Sequence, residues 1–139
     1  MQPAAVEDLL YHSSGLLGVS GISSDMRTLL ASANPHAHDA IELFVFRIVR
    51  EIGALAASLG GIDAVVFTAG IGEHAAEIRR RVCNGAAWLG IDLDPAANEA
   101  GGPRLTRSTS RASVWMIPTD EDLMIARHTR TVHRSLQIH

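Results

Sequence analysis

The apolar positions change period several times along the chain, and each change marks an element. The longest regular stretch lies between Asn34-Pro35 and Gly60-Gly61, where Ile41, Phe44, Val45, Ile48, Ile52, Leu55 and Leu59 form one broad stripe and Asp39, Glu42, Arg47, Arg50 and Glu51 fall outside it. That spacing predicts a long helix, opened by an asparagine cap with proline at the first helical position and stopped by glycine. From Asp63 the period is lost. Val65, Val66 and Phe67 stand side by side without polar alternation, which predicts a strand covered on both faces. Gly70 and Gly72 end it, and Ala75, Ile78, Val82, Ala86 and Leu89 then resume a helical face from His74 to the stop at Gly90.

The flanking segments are shorter. Ala4 to His12 predicts an amphipathic helix with Val6, Leu9 and Leu10 inward. Between Ser13 and Ser24 a glycine at every third place alternates with aliphatic residues, which predicts a loop anchored by Leu16, Leu17, Val19 and Ile22 rather than a flexible linker. Ser24 is positioned to cap a short helix running through Asp25, Met26 and Arg27 to Ser32, with Asp25 as a first-turn acid complementing the helix dipole. After Gly90, the Ile91–Pro95 run predicts a short edge segment followed by a loop rich in Ala, Asn and Gly, and then two short strands at Leu105–Ser108 and Ser113–Ile117. Thr119, with Asp122 three residues on, resembles a capping box for a last helix through Leu123–Ala126, before a basic, solvated tail from Arg127 to His139.

The chemistry concentrates at Asp63–Glu73. A strand, a Gly-x-Gly turn and a helix present free backbone N–H groups and a positive dipole end, and the missing side chains admit an anion close to the main chain, so a phosphate-bearing ligand is the candidate. Two other readings of the same residues stay open. The glycines serve a plain strand-to-helix connection, or Gly70-Ile71-Gly72-Glu73-His74-Ala75, with Asp92 further on, is a dinucleotide fingerprint. Asp120, Glu121 and Asp122 crowd a helix start, where they complement a dipole or hold a cation such as magnesium, which takes one or two protein carboxylates beside phosphates. Arg79-Arg80-Arg81 lies opposite the apolar positions of its helix and is read as a solvated face. His36 and His38 do not share a helical face, which argues against a metal site there.

The totals narrow the class. A chain of 139 residues is one domain with a modest core, and 47% apolar against 19% charged residues excludes a disordered tail. No apolar run has membrane-spanning length, a net charge of -3 supplies no basic field for nucleic acid, and Cys83 alone permits no internal disulfide. With no secretory signal at its start, the chain is expected to be soluble and cytoplasmic. P-loop, nucleophile-elbow and zincin motifs are absent from the sequence.

Taken together, Ser14-Gly15-Leu16-Leu17-Gly18-Val19-Ser20-Gly21, Ser24-Asp25-Met26-Arg27, Phe67-Thr68-Ala69-Gly70-Ile71-Gly72-Glu73 and Ile117-Pro118-Thr119-Asp120-Glu121 resemble the acetate kinase family, in order and over nearly the whole chain. The dinucleotide reading explains only one of these four stretches and falls behind. The resemblance is to the C-terminal, nucleotide-binding part of considerably longer proteins, so residues 1–139 are expected to be a domain fragment. It implies an α/β fold of the ribonuclease-H-like superfamily that includes actin, the sugar kinases and the Hsp70 ATPase, here part of the second domain.

By the same resemblance the activity would be phosphoryl transfer between ATP and acetate, giving ADP and acetyl phosphate, with magnesium or manganese; propionate and butyrate kinases are near variants. Asp25, Met26 and Arg27 would border the adenosine, Gly70, Ile71, Gly72, Glu73 and His74 would pass along the nucleotide and its phosphates, and Glu121 would serve the metal. The family usually has asparagine where this chain has His74 and Asp120. Imidazole replaces an amide donor in one tautomer only, and Asp120 adds negative charge beside the metal. The family's catalytic arginines, histidine and acid lie upstream of the matched segment, so no catalytic residue is assigned here. A missing N-terminal half is the implied partner, with a homodimer at full length, and a nucleotide-binding module inactive on its own, or a remnant that folds poorly, are the alternative expectations.

Overall fold

The computed structural model describes residues 2–136. In chain order these form α1 (Pro3–His12), α2 (Gly15–Ser20), α3 (Met26–Leu30), α4 (Pro35–Leu59), β1 (Ala64–Phe67), α5 (Ala69–His74), α6 (Ala76–Gly85), a single 3-10 turn (Ala87–Leu89), α7 (Pro95–Ala100), β2 (Ser113–Met116) and α8 (Glu121–Leu136). The tail expected from Arg127 is helical as far as Leu136, and positions 137–139 lie outside the described residues.

The bounds of helix α4 are those its sequence predicts, but Leu55 and Leu59 of the expected stripe are exposed. Asn34 Oδ1 accepts the His36 N–H at 2.9 Å, Pro35 follows the cap, and Gly60 ends the helix at φ 74°. Its buried face serves two cores. Ala37, Ala40, Ile41 and Val45 pack with Met26 and Leu29 of α3 and Ile78 and Val82 of α6, whereas Ala56, further along α4, joins Cys83, Leu89, Ile91, Leu105 and Val114. Helix α6 therefore contributes to both. Burial pushes the Cys83 thiol up to about 12, so it stays protonated and packs as a small apolar side chain.

Strands β1 and β2 pair in parallel, with Ala64 opposite Ser113 and Phe67 opposite Met116. Asp63 O accepts from Ser113 N and Phe67 O from Ile117 N, each at 2.9 Å. Because successive residues of a parallel strand bond to opposite neighbours, the N–H and C=O groups of Ala64 and Val66 point to the other edge. The outer edge of β2 is covered by its own chain, where Leu105 N donates to Val114 O and Met116 N to Pro103 O. Among the described residues no strand covers the outer edge of β1, and Val66 is 51% exposed. The expectation of a strand covered on both faces is corrected: Val65 and Phe67 pack against the second core, whereas Ala64 and Val66, on the opposite face, are exposed.

Other expectations change for local reasons. Residues 13–24 are not wholly loop, since Gly15–Ser20 winds into α2, stopped by Gly21 at φ 64°. Val6, Leu9 and Leu10 of α1 are exposed rather than inward. The segment expected to be a strand from Leu105 makes isolated antiparallel bridges, Leu93 with Thr106 and Arg104 with Trp115. The stretch after Pro95 is a helix, because Asp94 Oδ1 accepts from the Ala96 and Ala97 N–H groups and Pro95 supplies the first helical position. At the last helix the cap is Asp120, whose Oδ1 accepts the Leu123 N–H at 2.9 Å, and not Thr119. Among the described residues no helix is long and apolar enough to cross a membrane.

Candidate functional site

Two segments far apart in sequence meet in a cleft of about 350 Å³ lined by Ser24, Asp25, Met26 and Arg27 on one side and by Gly70, Ile71, His74 and Ala75 on the other. The first wall is fixed by short-range hydrogen bonds. Buried Ser20 accepts from the Ile22 and Ser23 N–H groups at 3.1 and 3.3 Å, and Ser23 Oγ accepts the Asp25 N–H at 3.0 Å. Asp25, not Ser24, is the cap of α3: its Oδ1 accepts the Arg27 N–H at 2.9 Å, and that backbone bond chiefly holds its carboxyl below the ordinary carboxylate range. Its Oδ2 lies 3.2 Å from Arg27 Nη2, whose side chain is 85% exposed. Met26 is buried in the core beneath, so it anchors the wall from below.

The second wall differs from the expected glycine turn. Gly70 and Gly72 lie inside the six-residue helix α5, and the only non-glycine residue with positive φ among the described residues is Ala69, at 59°, where β1 passes into α5. Such a conformation costs an ordinary L-residue roughly 1–2 kcal/mol, and strain of this kind collects at functional turns. The two glycines have separate reasons. A Cβ on Gly70 would meet nothing within 4 Å and would project into open space beside the cleft, whereas one on Gly72 would come within 3.3 Å of the Phe67 backbone carbon. Gly70 keeps space open; Gly72 lets α5 fold back onto β1.

The helix expected from His74 to Leu89 is broken at Ala75, with φ −112° and ψ 79°. The arginine run is equally divided. Arg80 and Arg81 pair with Glu77, and Arg81 also with Glu42, as a solvated face would, but Arg79 is 2% exposed. That expectation is corrected for Arg79, whose neighbour Asn98 is also buried. Sequence reasoning assigned no role to Asn98, nor to Ser20 beyond its place in a motif. The signal for Asn98 was Asp94-Pro95, the same cap-then-proline pattern as Asn34-Pro35, which makes its segment a helix with a packed face.

Of the predicted nucleotide residues, all but Gly72 and Glu73 line the cleft. Glu73 Oε1 instead accepts from Thr119 N at 2.9 Å and Thr119 Oγ1 at 3.0 Å, tying α5 to the start of α8. The Thr119 N–H bond foremost lowers the Glu73 carboxyl below its ordinary value. A depressed folded value means stability that is present above the unfolded value and lost as pH falls through the folded one. Glu73→Gln, which keeps an acceptor but removes the charge, should therefore melt with a shallower acid dependence below about pH 4.5 than the parent. Parallel pH–Tm curves for the two proteins would show that the charge plays no part.

Glu121 opens α8, exposed, two residues beyond the Thr119 contact, while Asp120 is engaged as the cap. Among the described residues no group of three or more His, Cys, Asp or Glu gathers for a metal ion. Exposed Glu121 and Asp122 at the start of α8 suit only a cation that takes its remaining ligands from water and phosphate, which is the habit of magnesium.

The fold is that of kinases acting on small carboxylic acids. The crystal structure of Porphyromonas gingivalis acetate kinase superposes with a TM-score of 0.84 at 38% identity, covering 95% of this chain and 35% of that one. A propionate kinase from Francisella tularensis gives 0.81 at 33% identity, covering 91% and 33%. In sequence, acetate kinases of Rhodopseudomonas palustris and Rhizobium meliloti are 68% and 60% identical over 130 and 129 residues, which is 92% and 93% of this chain. The Acetokinase family profile matches residues 1–127, and the chain belongs to that family. It spans about a third of the length of the curated relatives it matches, 33% in both cases.

Proposed function

We propose that this chain forms the ATP/ADP-binding part of an acetate kinase. The observation that carries the reading is the cleft itself: segments 24–27 and 70–75, which resemble the family's nucleotide motifs, come together in space although more than forty positions separate them in the sequence. Asp25 and Arg27 border the adenosine, with Met26 anchoring them, and Gly70, Ile71 and His74 flank the phosphates. Gly72 and Glu73 act indirectly, the one by letting α5 approach β1 and the other by tying α5 to α8. In the reaction a carboxylate oxygen of acetate bonds to the γ-phosphorus as the bond to the β–γ bridging oxygen breaks, and ADP leaves. Magnesium, when bound, offsets charge on the phosphates; Glu121 would hold it or its water shell. Three-carbon acids are the second reading for the acceptor, favoured by the propionate kinase with the same fold.

Calorimetric titration of ADP into the chain tests the reading. Binding is expected, with an affinity that rises with magnesium, and Glu121→Gln should flatten that magnesium dependence without lowering Tm by more than about a degree or two. Heat changes indistinguishable from buffer would sink the nucleotide assignment. Acetyl phosphate formation is expected only when the remaining part of a relative's chain is supplied, because nucleotide binding alone does not position an acceptor.

A further inference from the structure

Helix α5 carries one wall of the cleft, yet it is six residues long, contains two glycines and has no buried residue of its own. A helix so short does not hold itself. Its last carbonyls are also a liability, since Gly72 and Glu73 O lie in the final turn, where the helix supplies no N–H partner. Both are satisfied by one atom. Arg79 Nη1 donates to Gly72 O at 2.9 Å and to Glu73 O at 2.8 Å.

The other side of the same guanidinium reaches α7. Arg79 Nε donates to Asn98 Oδ1 at 2.9 Å and Nη2 to Asn98 O at 2.6 Å, while Asn98 Nδ2 donates to Ala76 O at 2.9 Å. The network closes on itself, joining the end of α5, the start of α6 and the middle of α7. None of the four acceptors of Arg79 is a carboxylate. A buried guanidinium spent entirely on carbonyl oxygens is an expensive way to build a core, where an apolar side chain of similar volume would serve. It fits the task of placing a cation at a helix C-terminus and fixing the direction in which two carbonyls point.

The sequence pattern places a helix start at His74, but the chain closes α5 there and begins α6 only after Ala75, where the Gly72 and Glu73 carbonyls turn to Arg79 instead of to the N–H groups of a next turn. We propose that Arg79, held by Asn98, is the positioning residue that breaks α5 from α6 and so sets where Gly70, Ile71 and His74 stand in the cleft. It acts on ligand affinity without lining the cleft. The proposal rests on the nucleotide reading for its effect on affinity, but not for its effect on α5.

Two readouts on the full chain keep these apart. Hydrogen exchange of the Ile71–Ala75 amides, followed without ligand, should accelerate at least about tenfold in Arg79→Met relative to the β2 amides. In Val114→Ala, which opens a cavity in the other core, the Ile71–Ala75 amides should not accelerate relative to β2. ADP titrated under conditions where all variants are folded should bind Arg79→Met about tenfold or more weakly, and Val114→Ala within about twofold of the parent. Arg79→Lys keeps the charge but not the fork and should recover only part of the loss. Should Arg79→Met not fold, Asn98→Ala, which frees one side of the guanidinium, gives the same selective exchange at smaller amplitude. A parent that ignores ADP defeats the nucleotide reading while leaving the exchange result to decide the clamp. Exchange in Arg79→Met, or in Asn98→Ala in its place, that rises equally in α5 and β2 would overturn the proposal, as would ADP binding by Arg79→Met that matches the parent's.

Discussion

Replacing Gly70 by valine is expected to weaken ADP binding about a hundredfold while leaving the protein folded. The expectation follows from what surrounds the position. Nothing in the protein lies within 4 Å of the Cβ that would be added, and φ at Gly70 is not in the left-handed region, so neither clash nor strain opposes the change. Glycine is itself a poor residue in a helix, and valine there should alter stability by less than about 1 kcal/mol. The added methyl groups would instead occupy the space that a phosphate or ribose needs at the cleft wall. Gly72→Val makes the contrast, since its Cβ meets the Phe67 backbone at 3.3 Å and the damage should appear as lost stability. Calorimetry and thermal melts on both variants check this; a Gly70→Val protein that binds ADP like the parent means the ligand does not pass Gly70.

Leu29→Ala should cost about 3 kcal/mol and loosen the opposite wall of the cleft. Leu29 is 1% exposed, in the core shared by α3, α4 and α6. Helix α3 has five residues and two buried side chains, Met26 and Leu29, so removing one leaves little to hold it against α4. Asp25 and Arg27 flank that helix start, and their 2.9 Å cap bond exists only while α3 does. The urea midpoint should therefore fall, and ADP affinity should fall with it even in the folded protein. A loss below about 1 kcal/mol, within the range of surface substitutions, would mean that α3 is held by something other than this side chain.

What was legible in the sequence was whatever a local pattern decides. Asn34-Pro35, Gly60 and the apolar stripe between them define α4 without tertiary information, and the run Val65–Phe67 gives β1. The residues that line the cleft were named for a different reason, through short motifs whose meeting in space no periodicity reveals. Arg79 was not legible, because an arginine beside Arg80 and Arg81 looks solvated until its acceptors, carbonyls of α5 and of Asn98, are brought to it by the fold. The break at Ala75 was hidden for the same reason, since the carbonyls before it find their Arg79 partner only in the fold. Glu73 stood in the same motif but accepts from Thr119, and only the distance between them shows it.

The open side of β1 has a practical consequence for anyone handling this chain. Its outward N–H and C=O groups at Ala64 and Val66 form a short template, flanked by apolar Val65 and Phe67 and blunted by no lysine, proline or bulge. In relatives three times as long, ample polypeptide exists to shield such a rim; at high concentration the present chain offers it to any extended peptide at hand, its own copies included. Turbidity is therefore expected to rise steeply with protein concentration. A solubilising lysine at Val66, or refolding at high dilution, becomes the first adjustment to try when preparations turn turbid.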